Sequence, residues 1–253
     1  MGEVSAVLSI GTTHPWNIAG TGLDLRVAAE LQARALTAIA AVSAQDARGL
    51  HALAPVPPWA LQAQLDAIPW DEIGAVRVGA LGSSQAVNAV ADALGSREVS
   101  VVVDPVIETS AGGRLADDET IAAIGTRFLT MPAAIVTPNL REAAILLGEP
   151  IDRASAARAA ERLQERGSRA ILLKGGHLEG DPFDVLATAT ETTLFESARI
   201  EGTMRGTGCV LAMSLACALA GGATLRDAVA FARQFVRTKI AAAVQFAGVR
   251  TAY

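Results

Sequence analysis

The chain has 253 residues, of which 51% are hydrophobic and 19% charged, and this balance favours a folded α/β protein over a disordered one. A net charge of −5 argues against a nucleic-acid-binding surface, and every apolar run is interrupted before the roughly 20 residues that a membrane span needs. Cys209 and Cys217 are the only cysteines, so we expect no disulfide framework and a reducing, cytoplasmic location.

Short apolar segments alternate with longer amphipathic ones along the chain. The first segment begins close to the N-terminus and is typical of a core strand rather than a secretory signal. Strands are predicted at 6–11, 37–45, 75–81, 99–106, 133–139, 169–176, 184–190 and 193–200. Helices are predicted at 20–34, 58–67, 83–95, 117–130, 139–147, 153–167, 207–221 and 224–246. The alternation indicates one α/β domain over 1–253 with a mostly parallel sheet, and the last two strands form an antiparallel hairpin at its edge.

Ligands of open α/β sheets bind at the carboxyl ends of the strands, and polar or glycine residues gather at those ends here. They are Gly11, Gln45, Gly79, Asp104-Pro105, Thr137-Pro138-Asn139 and Lys174-Gly175-Gly176. The amide of Gln45 offers a donor and an acceptor side by side, which suits the edge of an aminopyrimidine, although a plain loop glutamine is an equal alternative. Asp104 ends the most apolar strand, where a carboxylate needs a partner; a capping role is its alternative.

Two further strand ends carry groups that suit phosphate chemistry. Asn139 and Glu142 lie one helical turn apart and are suited to order Mg²⁺, its water and phosphate, or simply to cap a helix. Lys174 is one of only two lysines, the other being Lys239, and a compact cation suits polyphosphate. His177 is expected to be a loop histidine, and the three histidines are too scattered to form a metal site.

Gly206-Thr207-Gly208-Cys209 opens the first of two consecutive C-terminal helices. Glycines at a helix start let several backbone N–H groups converge on an anion, although an ordinary glycine-rich helix start remains an equal alternative for this tetrapeptide alone. Cys209 falls in the first turn, where a helix N-terminus lowers the pKa of a thiol, whereas Cys217 is expected to be a core residue.

Taken together and in this order, these motifs resemble the hydroxymethylpyrimidine/phosphomethylpyrimidine kinases of thiamin biosynthesis, in the ribokinase-like superfamily. The resemblance runs through nearly the whole chain and is most specific in VTPNLREAAILLG, ILLKGGHLEG and RGTGCVLAMSLACALA. It implies a ribokinase-like three-layer αβα sandwich that uses ATP and Mg²⁺ to phosphorylate a pyrimidine alcohol, and it implies a homodimer.

The resemblance also implies a role for each matching residue. Gly206, Thr207, Gly208 and Cys209 form the anion hole, with Cys209 nearest the substrate hydroxyl. Pocket-lining positions fall on Gly11, Ala19, Gln45, Ala80 and Val106. Asn139, Lys174 and Gly176 belong to the nucleotide side, where Arg205 is suited to grip a phosphate, and Asp104 and Glu142 to the Mg²⁺ side.

Three departures from the family pattern concern the pocket. The glycine-rich GTDPSGGAG segment of the family is GTTHPWNIAG here, with the bulkier Trp16 and Asn17. Ala80 stands where methionine is common, and Arg205 replaces a common histidine before GTGC. These departures leave two alternatives to the pyrimidine kinase: a pyridoxal-type kinase of the same fold, and a catalytically weakened pyrimidine-binding protein.

Overall fold

The computed structural model describes residues 6–109, 112–176 and 180–253; His177 lies outside them. The strands are β1 (Ala6–Thr12), β2 (Ala35–Asp46), β3 (Gly49–Pro55), β4 (Ile73–Val78), β5 (Ser100–Val103), β6 (Ala134–Val136), β7 (Ala170–Lys174), β8 (Phe183–Thr188), β9 (Thr192–Glu196), β10 (Val244–Phe246) and β11 (Val249–Thr251). The helices are α1 (Gly20–Glu30), α2 (Pro58–Asp66), α3 (Ser84–Gly95), α4 (Asp118–Arg127), α5 (Leu140–Leu147), α6 (Ala156–Gln164), α7 (Thr207–Ala220) and α8 (Leu225–Ala241), with a 3-10 turn at Trp70–Glu72. None of these helices is long and apolar enough to cross a membrane.

Nine strands form one sheet in the order β3-β2-β1-β4-β5-β6-β7-β8-β9. Six neighbouring strands of this order, β2, β1, β4, β5, β6 and β7, are mutually parallel, so their carboxyl ends meet at one edge. Antiparallel strands flank this core on both sides, β3 beside β2 and the β8–β9 pair beside β7. The predicted hairpin is therefore confirmed, with its strands shortened to 183–188 and 192–196.

Helices cover both faces of the sheet. The apolar residues of α2 to α6 pack with one set of strand side chains, such as Leu8 and Val76, into one core cluster. Those of α1, α7 and α8 pack with the alternate set, such as Val7 and Ala75, into the second. Because side chains alternate between the faces of a strand, strands that read as apolar throughout are buried on both sides, as predicted.

A side-chain cap begins four of the eight described helices, α3, α4, α5 and α8. The Asn139 side chain accepts a hydrogen bond from the backbone N–H of Glu142, and the Glu142 carboxylate accepts one from the N–H of Asn139, which forms a complete capping box at the start of α5. At the start of α8, the Thr224 hydroxyl likewise accepts a hydrogen bond from the N–H of Asp227.

The largest differences from the prediction concern two elements. Strand β3 lies in a segment for which no element was predicted, because GLHALAP mixes polar residues with proline and leaves most of its residues exposed. The helix predicted at 224–246 ends at Ala241, and the chain turns back as the β10–β11 hairpin. The turn at Ala247 and Gly248 has positive φ at both residues, which matches the twist of a tight hairpin and excludes a continuing helix.

Candidate active site

The N-terminus of α7 lies against the carboxyl ends of β5 and β7. Gly206 adopts a left-handed conformation with φ of 81° just before the first helical turn. A Cβ atom at Gly208 would lie 3.3 Å from Lys174 Nζ and 3.4 Å from Asp104 Oδ2. The glycine start of the helix therefore lies next to a lysine and an aspartate.

Lys174 and Asp104 form an ion pair at this place. Lys174 Nζ donates to Asp104 Oδ1 over 2.8 Å. Burial alone would raise the pKa of Asp104, but Lys174 and a second cation hold it below its ordinary value. Burial likewise disfavours the charged form of Lys174, yet the nearby carboxylates raise its pKa. Both groups are therefore charged at neutral pH.

Glu142 brings a second carboxylate to the same side. Its side chain is 7% exposed, and one oxygen closes the α5 capping box. Burial raises the pKa of Glu142 to about 7, with Lys174 opposing the rise and Asp104 adding to it. Asn139 is joined to Lys174 by a parallel β-bridge. Asn139 therefore caps α5 and also lies beside Lys174.

A buried arginine that the sequence analysis did not single out completes the charge cluster. Arg77 Nη2 donates to Asp104 Oδ2 over 3.1 Å, and Arg77 Nη1 lies 3.2 Å from Asp24 Oδ2. The Ser9 hydroxyl donates to the same Asp24 oxygen over 2.6 Å. In the sequence, this pair is visible only as a single charge, Arg77, inside the apolar strand AVRVGAL and an aspartate of opposite charge, Asp24, inside α1.

Cys209 is half-buried beside Arg77, to which its side chain is hydrogen-bonded, and the backbone N–H of Gly20 donates to its sulfur. The expectation of an acidified thiol is wrong. Burial raises the pKa of Cys209, and Arg77 only partly offsets this because Asp24 and Asp104 add to the rise. Burial raises the pKa of Cys217 to about 12, consistent with a core residue.

The predicted pocket residues lie at the ends of β1, β2, β4 and β5. A Cβ atom at Gly11 would lie 3.6 Å from the carbonyl oxygen of Ala80, so these two residues are neighbours. Gln45 Nε2 donates to Ser43 Oγ over 2.7 Å. The half-buried Val106 follows Asp104, and its N–H donates to the carbonyl oxygen of Asp104 over 2.8 Å.

The altered segment 13–19 packs against both this pocket and α7. Ala19 is the residue before α1, without a side-chain cap. The Ser43 hydroxyl donates to the carbonyl oxygen of Thr13, which connects the segment to the neighbour of Gln45. At its other end, a Cβ atom at Gly206 would clash with the carbonyl oxygen of Ile18. The segment therefore bridges the end of β2 and the start of α7.

His14 and Trp16 organise the outer part of that segment. His14 is 4% exposed, and its Nδ1 accepts the N–H of Trp16 over 3.1 Å. Burial, together with the charge of Arg205, lowers the pKa of His14, so its ring is neutral. The Trp16 ring meets Phe246 of the β10–β11 hairpin edge-on, with 5.5 Å between the ring centroids.

Arg205 does not face the start of α7 in this structure. Its Nη1 and Nη2 donate to the carbonyl oxygens of Asp46 and Ala47, each over 2.7 Å. Its own N–H donates to the carbonyl oxygen of Arg250 over 2.9 Å. Arg205 thus ties the β2–β3 turn, through its guanidinium, to the C-terminal hairpin, through its backbone N–H. The predicted phosphate contact would require the guanidinium bonds to break.

Gly176 lies at the margin of the site. It is exposed, nothing lies within 4 Å of where its Cβ would be, and its carbonyl oxygen accepts a hydrogen bond from Arg199 over 3.3 Å. The structure therefore brings Asp104, Glu142, Asn139, Lys174 and residues 206–209 together, and leaves Gly176 outside this cluster.

The carboxylates present suit Mg²⁺ that arrives with phosphate rather than a resident ion. Among the described residues, no group of three or more His, Cys, Asp or Glu side chains is arranged to hold a metal. Both oxygens of Asp104 already accept hydrogen bonds from cations. Mg²⁺ in proteins usually keeps several waters and takes one or two carboxylates plus substrate phosphates, which fits Asp104 and Glu142.

Comparison with known proteins gives the same family from a family model and from a curated relative. The model of the phosphomethylpyrimidine kinase family matches residues 17–251. The hydroxymethylpyrimidine/phosphomethylpyrimidine kinase of Rhizobium meliloti (strain 1021) is 35% identical over 241 residues, which are 93% of this chain and 90% of that protein.

Two solved structures show the same fold. The phosphomethylpyrimidine kinase of Clostridium difficile 630 has a TM-score of 0.80 at 24% identity, covering 92% of this chain and 98% of its own. The pyridoxal kinase of Staphylococcus aureus in complex with pyridoxal has a TM-score of 0.89 at 23% identity, covering 99% of this chain and 93% of its own. The three-layer, ribokinase-like architecture predicted from the sequence is confirmed.

Proposed function

The chain belongs to the phosphomethylpyrimidine kinase family, and we propose that it transfers the γ-phosphoryl group of ATP to 4-amino-5-hydroxymethyl-2-methylpyrimidine and to its monophosphate. One observation carries the proposal: the glycine start of α7 faces the Lys174–Asp104 pair at the carboxyl ends of the strands. Backbone N–H groups, a helix N-terminus and a lysine are the groups that stabilise a transferring phosphoryl group.

The reaction we infer is an in-line displacement. The hydroxyl oxygen of the alcohol, or a phosphate oxygen of its monophosphate, attacks the γ-phosphorus, the bond to the bridging oxygen breaks, and ADP leaves with the electron pair of that bond. With the alcohol, the hydroxyl proton passes to a phosphoryl oxygen as the new bond forms. The N–H groups of residues 206–209 and the ammonium of Lys174 would neutralise charge on the equatorial oxygens. Mg²⁺, when bound, would neutralise charge on the ATP phosphates, and Asp104 and Glu142 would order its water ligands.

Cys209 would lie nearest the attacking hydroxyl. Because burial raises the pKa of this thiol, it is protonated at neutral pH and acts first by orienting the hydroxyl. A loose transition state requires little help from a base before the new bond forms, so a neutral thiol is compatible with catalysis.

On the substrate side, Gln45 would read the edge of the aminopyrimidine, and Gly11, Ala19, Ala80 and Val106 would line the ring. The adjacency of Gly11 and Ala80 and the half-buried position of Gln45 support this assignment. Asn139 would act beside Lys174 on the nucleotide side. Gly176 and Arg205 keep their predicted phosphate roles only as hypotheses, since one lies at the margin and the other is bound to the β2–β3 turn.

A homodimer and a cytoplasmic location stay predictions. Two apolar side chains near the β2–β3 pair are exposed, Val42 at 54% and Trp59 at 76%. Their exposure supports the association of this surface with another protein chain. Sedimentation equilibrium of the wild type and Trp59→Ser would give the oligomeric state, and a monomer in both would contradict the homodimer.

A coupled ADP-release assay tests the proposed function. Hydroxymethylpyrimidine, its monophosphate, pyridoxal and pyridoxine would each be supplied with ATP and Mg²⁺, with an alcohol-free reaction as background. Turnover of the pyrimidines is expected, and Cys209→Ala should reduce it, whereas the same change at Cys217 on the same helix should not. Preference for pyridoxal would favour the pyridoxal-type kinase, and pyrimidine binding without ADP release would favour a binding protein.

A further inference from the structure

Asp104 is shared by two cations, each of which binds a different oxygen of its carboxylate. Lys174 Nζ binds Oδ1 over 2.8 Å, and Arg77 Nη2 binds Oδ2 over 3.1 Å. The two cations differ in access to solvent, because the Lys174 side chain is 15% exposed and that of Arg77 only 1%. Lys174 lies against Gly208 at the start of α7, whereas Arg77 is enclosed and is hydrogen-bonded to the side chain of Cys209 in the same turn.

The fold reserves the space in which Arg77 lies. Arg77 is opposite Ser9 in the neighbouring strand, on the face covered by α1 and α7. A Cβ atom at Gly79 would clash with Arg77 Nη1 and lie 2.8 Å from its Cζ. On the far side, Asp24 on α1 lies 3.2 Å from Nη1 and is itself held by the Ser9 hydroxyl. Backbone and side chains thus fix the guanidinium in one position.

This arrangement matters when Lys174 binds a phosphate. To donate to a phosphoryl oxygen, the ammonium must weaken or give up its bond to Asp104. A buried carboxylate without a cation is strongly unfavourable, so an Asp104 paired with Lys174 alone would hold the lysine back. Arg77 removes this obstacle, since Asp104 stays paired and hydrogen-bonded after Lys174 has moved.

We propose that Arg77 is a positioning residue for phosphoryl transfer: it keeps Asp104 fixed and neutralised so that Lys174 is free to bind the transferring phosphoryl group. The inference rests on the proposed kinase function but not on the identity of the alcohol. Arg77 itself touches neither substrate, because the cluster encloses it.

The variants Arg77→Lys and Arg77→Gln show whether the positive charge of Arg77 or only its packing affects the reaction, because Arg77→Lys keeps the charge and Arg77→Gln removes it. Arg77→Gln should lower kcat by roughly 10- to 100-fold, the usual effect of losing a group that orients another functional group. It should also weaken ATP binding several-fold, while the Kd of the pyrimidine stays within about twofold. Arg77→Lys should recover most of the loss. The exposed Arg169→Gln, at the opposite ends of the strands, is the matched control and should leave both values unchanged.

A double-mutant cycle with Lys174→Gln distinguishes positioning from structural support. If Arg77 acts through Lys174, the double variant should be scarcely slower than Lys174→Gln alone, because the two changes remove one shared effect. Losses that multiply independently would overturn the proposal, and so would wild-type kcat and ATP affinity in Arg77→Gln. Should Arg77→Gln fail to fold, Asp24→Asn/Arg77→Gln removes the unpaired carboxylate of Asp24 and replaces it in the cycle.

The readouts separate this inference from the proposed function. If the wild type phosphorylates a different alcohol, the same measurements with that alcohol still test Arg77. If it turns over no alcohol at all, the proposed function fails, while the ATP affinities of the wild type, Arg77→Gln, Lys174→Gln and the double variant still decide the inference through the same cycle.

Discussion

The carbonyl oxygen of Ile18 occupies the space in which a side chain at Gly206 would begin. A Cβ atom at Gly206 would clash with this oxygen and lie 2.6 Å from Leu23 Cδ2, and the φ of Gly206 is 81°. The segment 13–19 and the start of α7 therefore fit together only because position 206 has no side chain.

Gly206→Ala should lower kcat/KM by about 100-fold, because a displacement of about 1 Å at reacting groups has effects of that size. It should also reduce the free energy of unfolding by more than the roughly 1–2 kcal/mol of a left-handed alanine. Gly148→Ala is the matched control, since Gly148 has φ of 75° with nothing within 4 Å of its Cβ position. Urea unfolding and steady-state kinetics of both variants would check this; equal stability losses would contradict the contact with Ile18.

Arg205→Ala should raise the KM of the pyrimidine more than that of ATP, because the guanidinium holds the turn that follows Gln45. Each hydrogen bond from a charged donor contributes about 1.5–3 kcal/mol, so a rise of at least about tenfold is expected. Arg205→Lys should behave like the alanine variant, as an ammonium cannot span two carbonyl oxygens in a fixed fork. A selective rise in the KM of ATP would instead support the phosphate contact predicted from the sequence.

Phe246→Ala should raise the KM of the alcohol substrate by about 2- to 10-fold with little change in kcat. The edge-on contact with Trp16 is of the kind that contributes about 0.5–1.5 kcal/mol, and its loss should loosen the segment 13–19. Val244→Ala serves as the control, because Val244 is on the same hairpin and is 49% exposed against 52% for Phe246. Identical kinetics for the two variants would show that the hairpin does not affect the pocket.

His14 should make the stability of the protein depend on pH. Its pKa is lowered in the folded state, so the unfolded chain binds the proton more tightly. The stabilisation is therefore complete above the unfolded pKa of about 6.5 and is lost as the pH falls through that value toward the lower folded pKa. Melting temperatures between pH 5 and 8 should fall less steeply for His14→Asn, whose side-chain oxygen can still accept the N–H of Trp16. Parallel profiles would contradict a buried neutral imidazole.

The sequence predicts the parallel core and the residues at its strand ends because both follow from local patterns. Asp104, Asn139 and Lys174 each end an apolar run, and parallel strands necessarily bring such ends to one edge. Strand β3 escapes prediction since an edge strand needs no continuous apolar pattern. The orientation of Arg205 depends on the turn before that strand, so it could not be predicted either.

The pairing of Arg77 with Asp24 could not be predicted for a different reason. Arg77 is a single charge within an apolar strand, and Asp24 is one of three charged residues in α1; the role of each depends on a partner from a distant part of the chain. The acidity expected for Cys209 considers only the helix N-terminus, whereas burial and two nearby carboxylates decide the outcome. Local patterns place groups on elements, but they do not reveal how charges from different elements neutralise one another.

The shared buried cations also limit how this protein can evolve. Removing Arg77 leaves the buried carboxylate of Asp24 without a cation, a loss of about 3–5 kcal/mol that is a large part of the stability of an ordinary domain. Substitutions of Arg77 alone are therefore not neutral, except for an exchange to lysine. Any lineage that abandons the arrangement must change the arginine and an aspartate together, so these positions should vary in concert among descendants of this chain.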